Sequence, residues 1–162
     1  MKIAVVGFGI QGRAQALNLR DSGYDVVIAN REDEYRSKAL EDGFDVLPIE
    51  QAVHSSDVIL LLIPDAHQNK ILTEVIFKNM KENSALVFAH GYWLTYEGKN
   101  IPNNIDIMMI APRFPGEPIR KTFLEGGGVP AYINIFQDSS GKADKKLNGL
   151  TEGLGFSKGG LI

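Results

Sequence analysis

Hydrophobic and polar positions alternate along this chain in two rhythms. A short β-branched apolar run at residues 3–6 suits a strand buried on both faces, 26–29 makes a second buried strand, and further runs at 57–63, 84–89, 105–111 and 131–136, with a brief one at 45–47, read as strands. Between them the spacing turns helical. Ile10, Ala14 and Leu17 share one face, as do Ile71, Leu72, Val75 and Ile76, and later Ala143, Leu147, Leu150 and Leu154. The charged turn 32–38 leads into a short helix ending near Gly43, and 50–54 forms one or two further turns. Punctuation agrees with these limits: Gly23 follows the first helix, Pro64 stops the most apolar strand, and Pro118 opens a helix that Gly126 to Gly128 closes. Asp65 and Gln68 have capping-box spacing, and Ser139 or Ser140 is placed to cap the last long helix. Residues 159–162 read as a strand-like tail. Alternating buried strands and helices predict an α/β fold in a single domain over 1–162: a doubly wound, mostly parallel sheet with helices on both faces.

The first strand ends in Gly7-Phe8-Gly9-Ile10-Gln11-Gly12, the G-x-G-x-x-G spacing at a strand-to-helix turn, with a second strand complete by Ala29. In that context each glycine has a task. Gly7 turns the chain, Gly9 lets backbone approach a pyrophosphate, and Gly12 lets helix and sheet pack closely. Free amides and the helix dipole then face the phosphates. A Rossmann-type dinucleotide site is the expectation, against a glycine turn made for packing alone. In such sheets ligands gather at the carboxyl ends of the strands, where the candidate residues lie.

Composition narrows the class. The chain has 162 residues, 44% hydrophobic and 23% charged, with net charge −3. It invites neither nucleic acid nor an anionic membrane surface. The longest apolar run, 58–63, is far short of the ~18 residues of a spanning helix. Met1 leads directly into the first strand, leaving no room for a signal peptide, and the absence of cysteine fits a cytoplasmic setting. His54 and His67 have no partners at metal-ligand spacing. His90 ends a buried strand beside Gly91, where it is either satisfied by backbone or part of a site.

Together these residues resemble ketol-acid reductoisomerase, which isomerises and reduces acetohydroxy acids in branched-chain amino-acid synthesis. The resemblance runs from Ile3 to Ile162. It includes the glycine turn, 16–23, Glu41-Asp42-Gly43-Phe44, Pro64-Asp65, Phe88-Ala89-His90-Gly91, Ala111-Pro112, Pro115-Gly116, Gly128-Val129-Pro130 and 137–141. The resemblance implies NADP or NAD as cofactor. Gly7, Phe8, Gly9, Ile10, Gln11 and Gly12 would lie at the pyrophosphate, and Asn30 and Arg31 at the adenosine ribose. Pro64, Asp65, Ala66, His67 and Gln68 would line the nicotinamide side, Gly116 would touch the cofactor, and His90 would orient or donate to substrate oxygen. Arg113 stands where the family has lysine; it keeps the charge with a larger fork. Trp93 replaces a small polar residue, either altering the pocket wall or simply packing.

The choice between NADP and NAD stays open, because Arg31 favours a 2′-phosphate whereas Glu32, Asp33 and Glu34 repel one. The resemblance also implies a following helical, knotted domain whose acids hold magnesium; none of those residues is in this sequence. The chain is therefore expected to be the cofactor-binding half of an oxidoreductase acting on a small acetohydroxy acid, incomplete for turnover alone, with room for a homo-oligomer. A free-standing dinucleotide-binding or sensing module without catalysis is the alternative. A small dehydrogenase completing its site by dimerisation ranks behind both.

Overall fold

The computed structural model describes residues 1–30 and 33–162. β1 (Lys2–Val6), α1 (Ile10–Asp21), β2 (Asp25–Ala29), α2 (Glu34–Glu41), β3 (Asp45–Leu47), α3 (Ile49–Ser55) and β4 (Val58–Leu61) make the first half. The second half begins with α4 (Asp65–Ile71), which runs through a π-helical turn (Leu72–Ile76) into α5 (Phe77–Asn79). β5 (Ala85–Phe88), α6 (Tyr92–Tyr96), β6 (Asp106–Pro112), α7 (Gly116–Leu124), β7 (Ala131–Gln137) and α8 (Ala143–Leu154) follow. The seven strands lie in the order β3-β2-β1-β4-β5-β6-β7. All neighbours are parallel except β6 and β7, which run antiparallel with a register shift at Ile107/Met108.

Because successive strand residues face opposite sides, the central runs feed two cores, whereas β7 buries only Ala131, Ile133 and Ile135 against one and leaves Tyr132, Asn134 and Phe136 exposed. Ile3, Val5, Ile28, Leu60, Val87 and Met108 meet Leu19 of α1, Ile119 of α7 and Leu147, Leu150 and Leu154 of α8. On the other face Ala4, Val6, Ile59, Leu61, Leu86 and Phe88 meet Val53 of α3, Leu72 and Ile76 of the π turn, and Trp93 of α6. Trp93 simply packs: it is buried, stacks on Phe88 at 5.5 Å, and donates Nε1–H to Asn69 Oδ1 at 3.3 Å.

Local chemistry departs from expectation at two helix starts. Asp65 is the first helical residue and not the cap: Pro64 holds the cap position without a side-chain bond, and Gln68 donates to the Asp65 side chain. A capping box needs the acceptor one residue earlier. Neither serine is the cap residue of α8, which is Lys142: Asp138 Oδ1 accepts from the amides of Lys142 and Ala143, Ser140 Oγ shares the Lys142 amide at 3.1 Å, and both serine amides donate to Asp106 Oδ1 at 2.9 Å. The carboxylate accepts several bonds where a hydroxyl would offer less. At the chain's end, residues 160–162 lie parallel to β7 along its outer edge, with Ala131 and Ile133 donating to Gly160 and Ile162 and Ile162 donating back to Ala131.

Candidate cofactor site

At Gly7 the chain leaves β1 with φ +98°, a conformation that L side chains rarely adopt. A Cβ there would stand 2.7 Å from the Leu62 carbonyl oxygen. One at Gly12 would lie 2.0 Å from the Gly7 oxygen, so α1 presses directly on the turn. Gly9 differs: nothing lies within 4 Å of the missing Cβ. It is the N-cap of α1 and has no side chain to offer, so the first-turn amides are uncapped by it. Phe8 donates its N–H to Asn30 Oδ1 at 3.2 Å, and its buried ring meets Phe44 edge-on at 5.6 Å.

A cavity of about 870 Å³ opens over this turn. Its walls are Gly7 to Gln11, Ala29, Asn30, Asp33 and Tyr35 on one side, and Ile63 to Gln68 with Ala89 and His90 on the other. It thus straddles β1 and β4, where the strand order reverses, the place such sheets keep for ligands.

At the β2 end, Asn30 Nδ2 donates to Asp33 Oδ1 at 2.7 Å, and the same oxygen caps α2 by accepting from the amides of Tyr35 and Arg36. Arg31 lies outside the described residues. At the β5 end, His90 Nε2 stands 2.8 Å from Asp65 Oδ1, and the Tyr92 amide donates to His90 Nδ1 at 3.3 Å. Gln68 is buried; its Nε2 donates to Ile63 O at 3.0 Å and Asp65 Oδ1 at 3.1 Å. Both amide hydrogens are thereby used, and Gln68 Oε1 is a buried acceptor without a partner.

The cavity gathers most of the residues expected at the cofactor, with Gly12 lying beneath the turn. His67 is an exposed residue on its wall. Two candidates lie elsewhere. Gly116 begins α7 against α1, where a Cβ would be 2.0 Å from the Ile10 oxygen, and it lines an adjoining groove between α1, α2 and α7 that shares Phe8, Gly9, Ile10 and Tyr35 with the cavity. Arg113 is exposed, and its guanidinium donates to the Tyr132 hydroxyl at 3.1 Å while lying over that ring. Tyr35 is not among the candidates, and Asp33 is singled out from sequence only as one of the acids that repel a 2′-phosphate. An Asp just before a helix start is a readable cap signal, but its place on the cavity wall depends on where α2 docks.

An open glycine at a helix N-terminus suits a diphosphate. The fold and site define a dinucleotide-binding domain of the oxidoreductase class. The family model for acetohydroxy acid isomeroreductase, NADPH-binding domain, matches residues 1–160, and the chain belongs to that family. It is similar to an NADH-preferring ketol-acid reductoisomerase from an uncultured archean: 39% identity over 99% of this chain and 50% of that one, TM-score 0.96. The 3-hydroxyisobutyrate dehydrogenase of Mycobacterium tuberculosis has TM-score 0.71 at 15% identity, over 99% of this chain and 53% of that one. The N-terminal domain of HmdIII from Methanocaldococcus jannaschii has TM-score 0.70 at 16% identity, over 100% and 99%. The last two share the fold. This chain spans half the length of the archaeal reductoisomerase.

Among the described residues no helix is long and apolar enough to cross a membrane, and no group of three or more His, Asp or Glu could hold a metal ion.

Proposed function

We propose that this chain is the cofactor-holding half of a ketol-acid reductoisomerase and that it prefers NADH to NADPH. The observation that carries the reading is the uncapped start of α1, opened by Gly9 beneath the switch-point cavity. There the amides beyond Gly9 receive the diphosphate, helped by the helix dipole. When bound, the dinucleotide supplies the hydride that reduces the rearranged acetohydroxy acid. The chain's part is placement: Gly7 and Gly12 fix the turn, Gln68 steadies Asp65, and Asp65 and His90 close the β5 end of the cavity. Magnesium, which the full reaction takes, is assigned to no described residue of this chain.

The NADH preference rests on Asp33. Its carboxylate faces the β2 end of the cavity, where the second ribose of a dinucleotide lies in this fold, and it repels a 2′-phosphate. Calorimetric titration with NADH and NADPH, at low and moderate salt, tests both statements. NADH is expected to bind roughly tenfold tighter, about 1.4 kcal/mol, with the gap narrowing as salt screens the repulsion. Equal affinities or an NADPH preference would overturn the assignment to Asp33. Failure of both nucleotides to bind would overturn the function itself. Residues 1–162 alone are expected to show no magnesium-dependent turnover of acetohydroxy acid.

A further inference from the structure

Tyr35 stands in the first turn of α2, and among the described residues it packs into neither core. Its backbone is fixed by the helix cap: Asp33 Oδ1 accepts the Tyr35 amide at 3.0 Å. The side chain lies between two hollows, lining both the cofactor cavity and the groove beside it. Lys38, one turn further along, sets its Nζ 5.1 Å from the ring centroid. Lys38 lines the groove and not the cavity, so the ammonium covers the ring from the groove side. The face toward the cavity is open: among the described residues no aromatic ring stacks on Tyr35, which is 37% exposed. A tyrosine ring open to a cavity is a surface for another flat π system. Covalent structure says what arrives there. Asp33 is the acid assigned to the second ribose, and the adenine of a dinucleotide is bonded to that ribose at C1′, the carbon beside the 2′ position.

We propose that Tyr35 is the platform on which the adenine of the dinucleotide stacks, the base lying on the cavity side of the ring while Lys38 holds the other side. This rests on the reading of the cavity as the dinucleotide site, and it names the residue that receives the base. Stacking uses the face of the purine and not its hydrogen-bonding edge. Replacing the adenine amino group by oxygen should therefore leave the stack intact. Asp33 and Tyr35 divide the adenosine end between them: the acid meets the ribose and the ring holds the base.

The test combines calorimetry with proton NMR on the 162-residue chain. Wild type is expected to show nuclear Overhauser contacts between adenine H2 or H8 of bound NADH and the ring protons of Tyr35, identified among the five tyrosines by Tyr35→Phe. Tyr35→Ala is expected to bind NADH roughly tenfold more weakly, the scale of losing one base–aromatic stack. Tyr35→Phe, which keeps the ring, is expected to bind as wild type. The reduced hypoxanthine dinucleotide, in which oxygen replaces the adenine amino group, should lose the same factor in Tyr35→Ala as NADH does. Absence of the contacts in NADH-bound wild type, or equal NADH affinity in wild type and Tyr35→Ala, would overturn the proposal. So would Tyr35→Phe binding as weakly as Tyr35→Ala, since the hydroxyl and not the ring face would then carry the effect. If Tyr35→Ala does not fold, the wild-type contacts decide. Wild type that binds no nucleotide removes the cofactor reading and the platform together, while wild type that binds NADH without touching Tyr35 removes the platform alone.

Discussion

Gly9 and Gly12 share one turn, yet their surroundings give them opposite tolerance for a methyl group. The Cβ of Gly12→Ala would fall 2.0 Å from the Gly7 carbonyl oxygen, a backbone atom held by β1. Relief requires α1 to move off the sheet, and the variant is expected to lose about 3 kcal/mol. At Gly9 the same methyl meets open space. Gly9→Ala should therefore fold with less than about 1 kcal/mol lost, the difference between a glycine and an alanine N-cap. It should nevertheless bind NADH at least roughly tenfold more weakly, because the methyl occupies the approach kept for a diphosphate. Thermal melts read the first effect and calorimetry the second. If Gly9→Ala binds as wild type, phosphate contact at that residue is ruled out. The spacing alone assigns Gly12 to packing and Gly9 to a ligand's approach; the structure supplies the atoms, a Gly7 carbonyl oxygen against the first and open space at the second.

The joint between β6, β7 and α8 is held by one buried carboxylate. Asp106 is fully buried, pairs with Lys146 Nζ at 2.6 Å, accepts from Ser140 Oγ at 2.7 Å, and receives the amides of Ser139 and Ser140. Burial acts to raise its pKa, but the hydrogen bonds from Lys146 and Ser140 outweigh it, and the carboxyl sits below its ordinary value. A group depressed in the folded state stabilises fully above its unfolded pKa, and that contribution is lost as pH falls through the folded value. Asp106→Asn is expected to cost about 3 kcal/mol at neutral pH, the scale for breaking a buried pair. The difference from wild type should shrink in acid as the wild-type carboxylate takes up its proton. Melting temperatures measured from neutral to strongly acidic pH check this. A gap that stays constant would mean the charge is not what holds the joint. The sequence offers Ser139 and Ser140 as caps, and only the return of β7 beside β6 brings Asp106 to them.

At the scale of the whole chain, β7 is the antiparallel edge of an otherwise parallel sheet, and residues 160–162 cover the outer hydrogen-bonding groups at its start, Ala131 and Ile133. An exposed edge strand invites pairing with another chain. Tyr132 and Phe136 of β7 are also partly exposed, at 41% and 48%. Deleting residues 159–162 is expected to lower the melting temperature by a few degrees and to increase concentration-dependent association, read by size-exclusion chromatography. An unchanged monomer fraction across a wide concentration range would show that the tail does not protect the edge.

The amino-acid pattern alone passes over α6 and the one-sided exposure of β7, but it determines the α/β class, the positions of the strands and most helices, the two-sided burial of the central strands, and the glycine turn that marks the cofactor end of the sheet. These follow from local periodicity and backbone sterics, which neighbouring residues carry among themselves. Tertiary structure decides which side chains meet. Asp65 and His90 face each other because β4 and β5 pair in parallel with Leu61 beside Phe88, so the turns that follow them emerge side by side. Arg113 follows β6 in the same manner, yet its guanidinium lies on Tyr132 because β7 returns antiparallel with Tyr132 opposite Ala111. Strand register is a property of pairs of segments distant in sequence, and the chemistry at the cavity's edge is read from it.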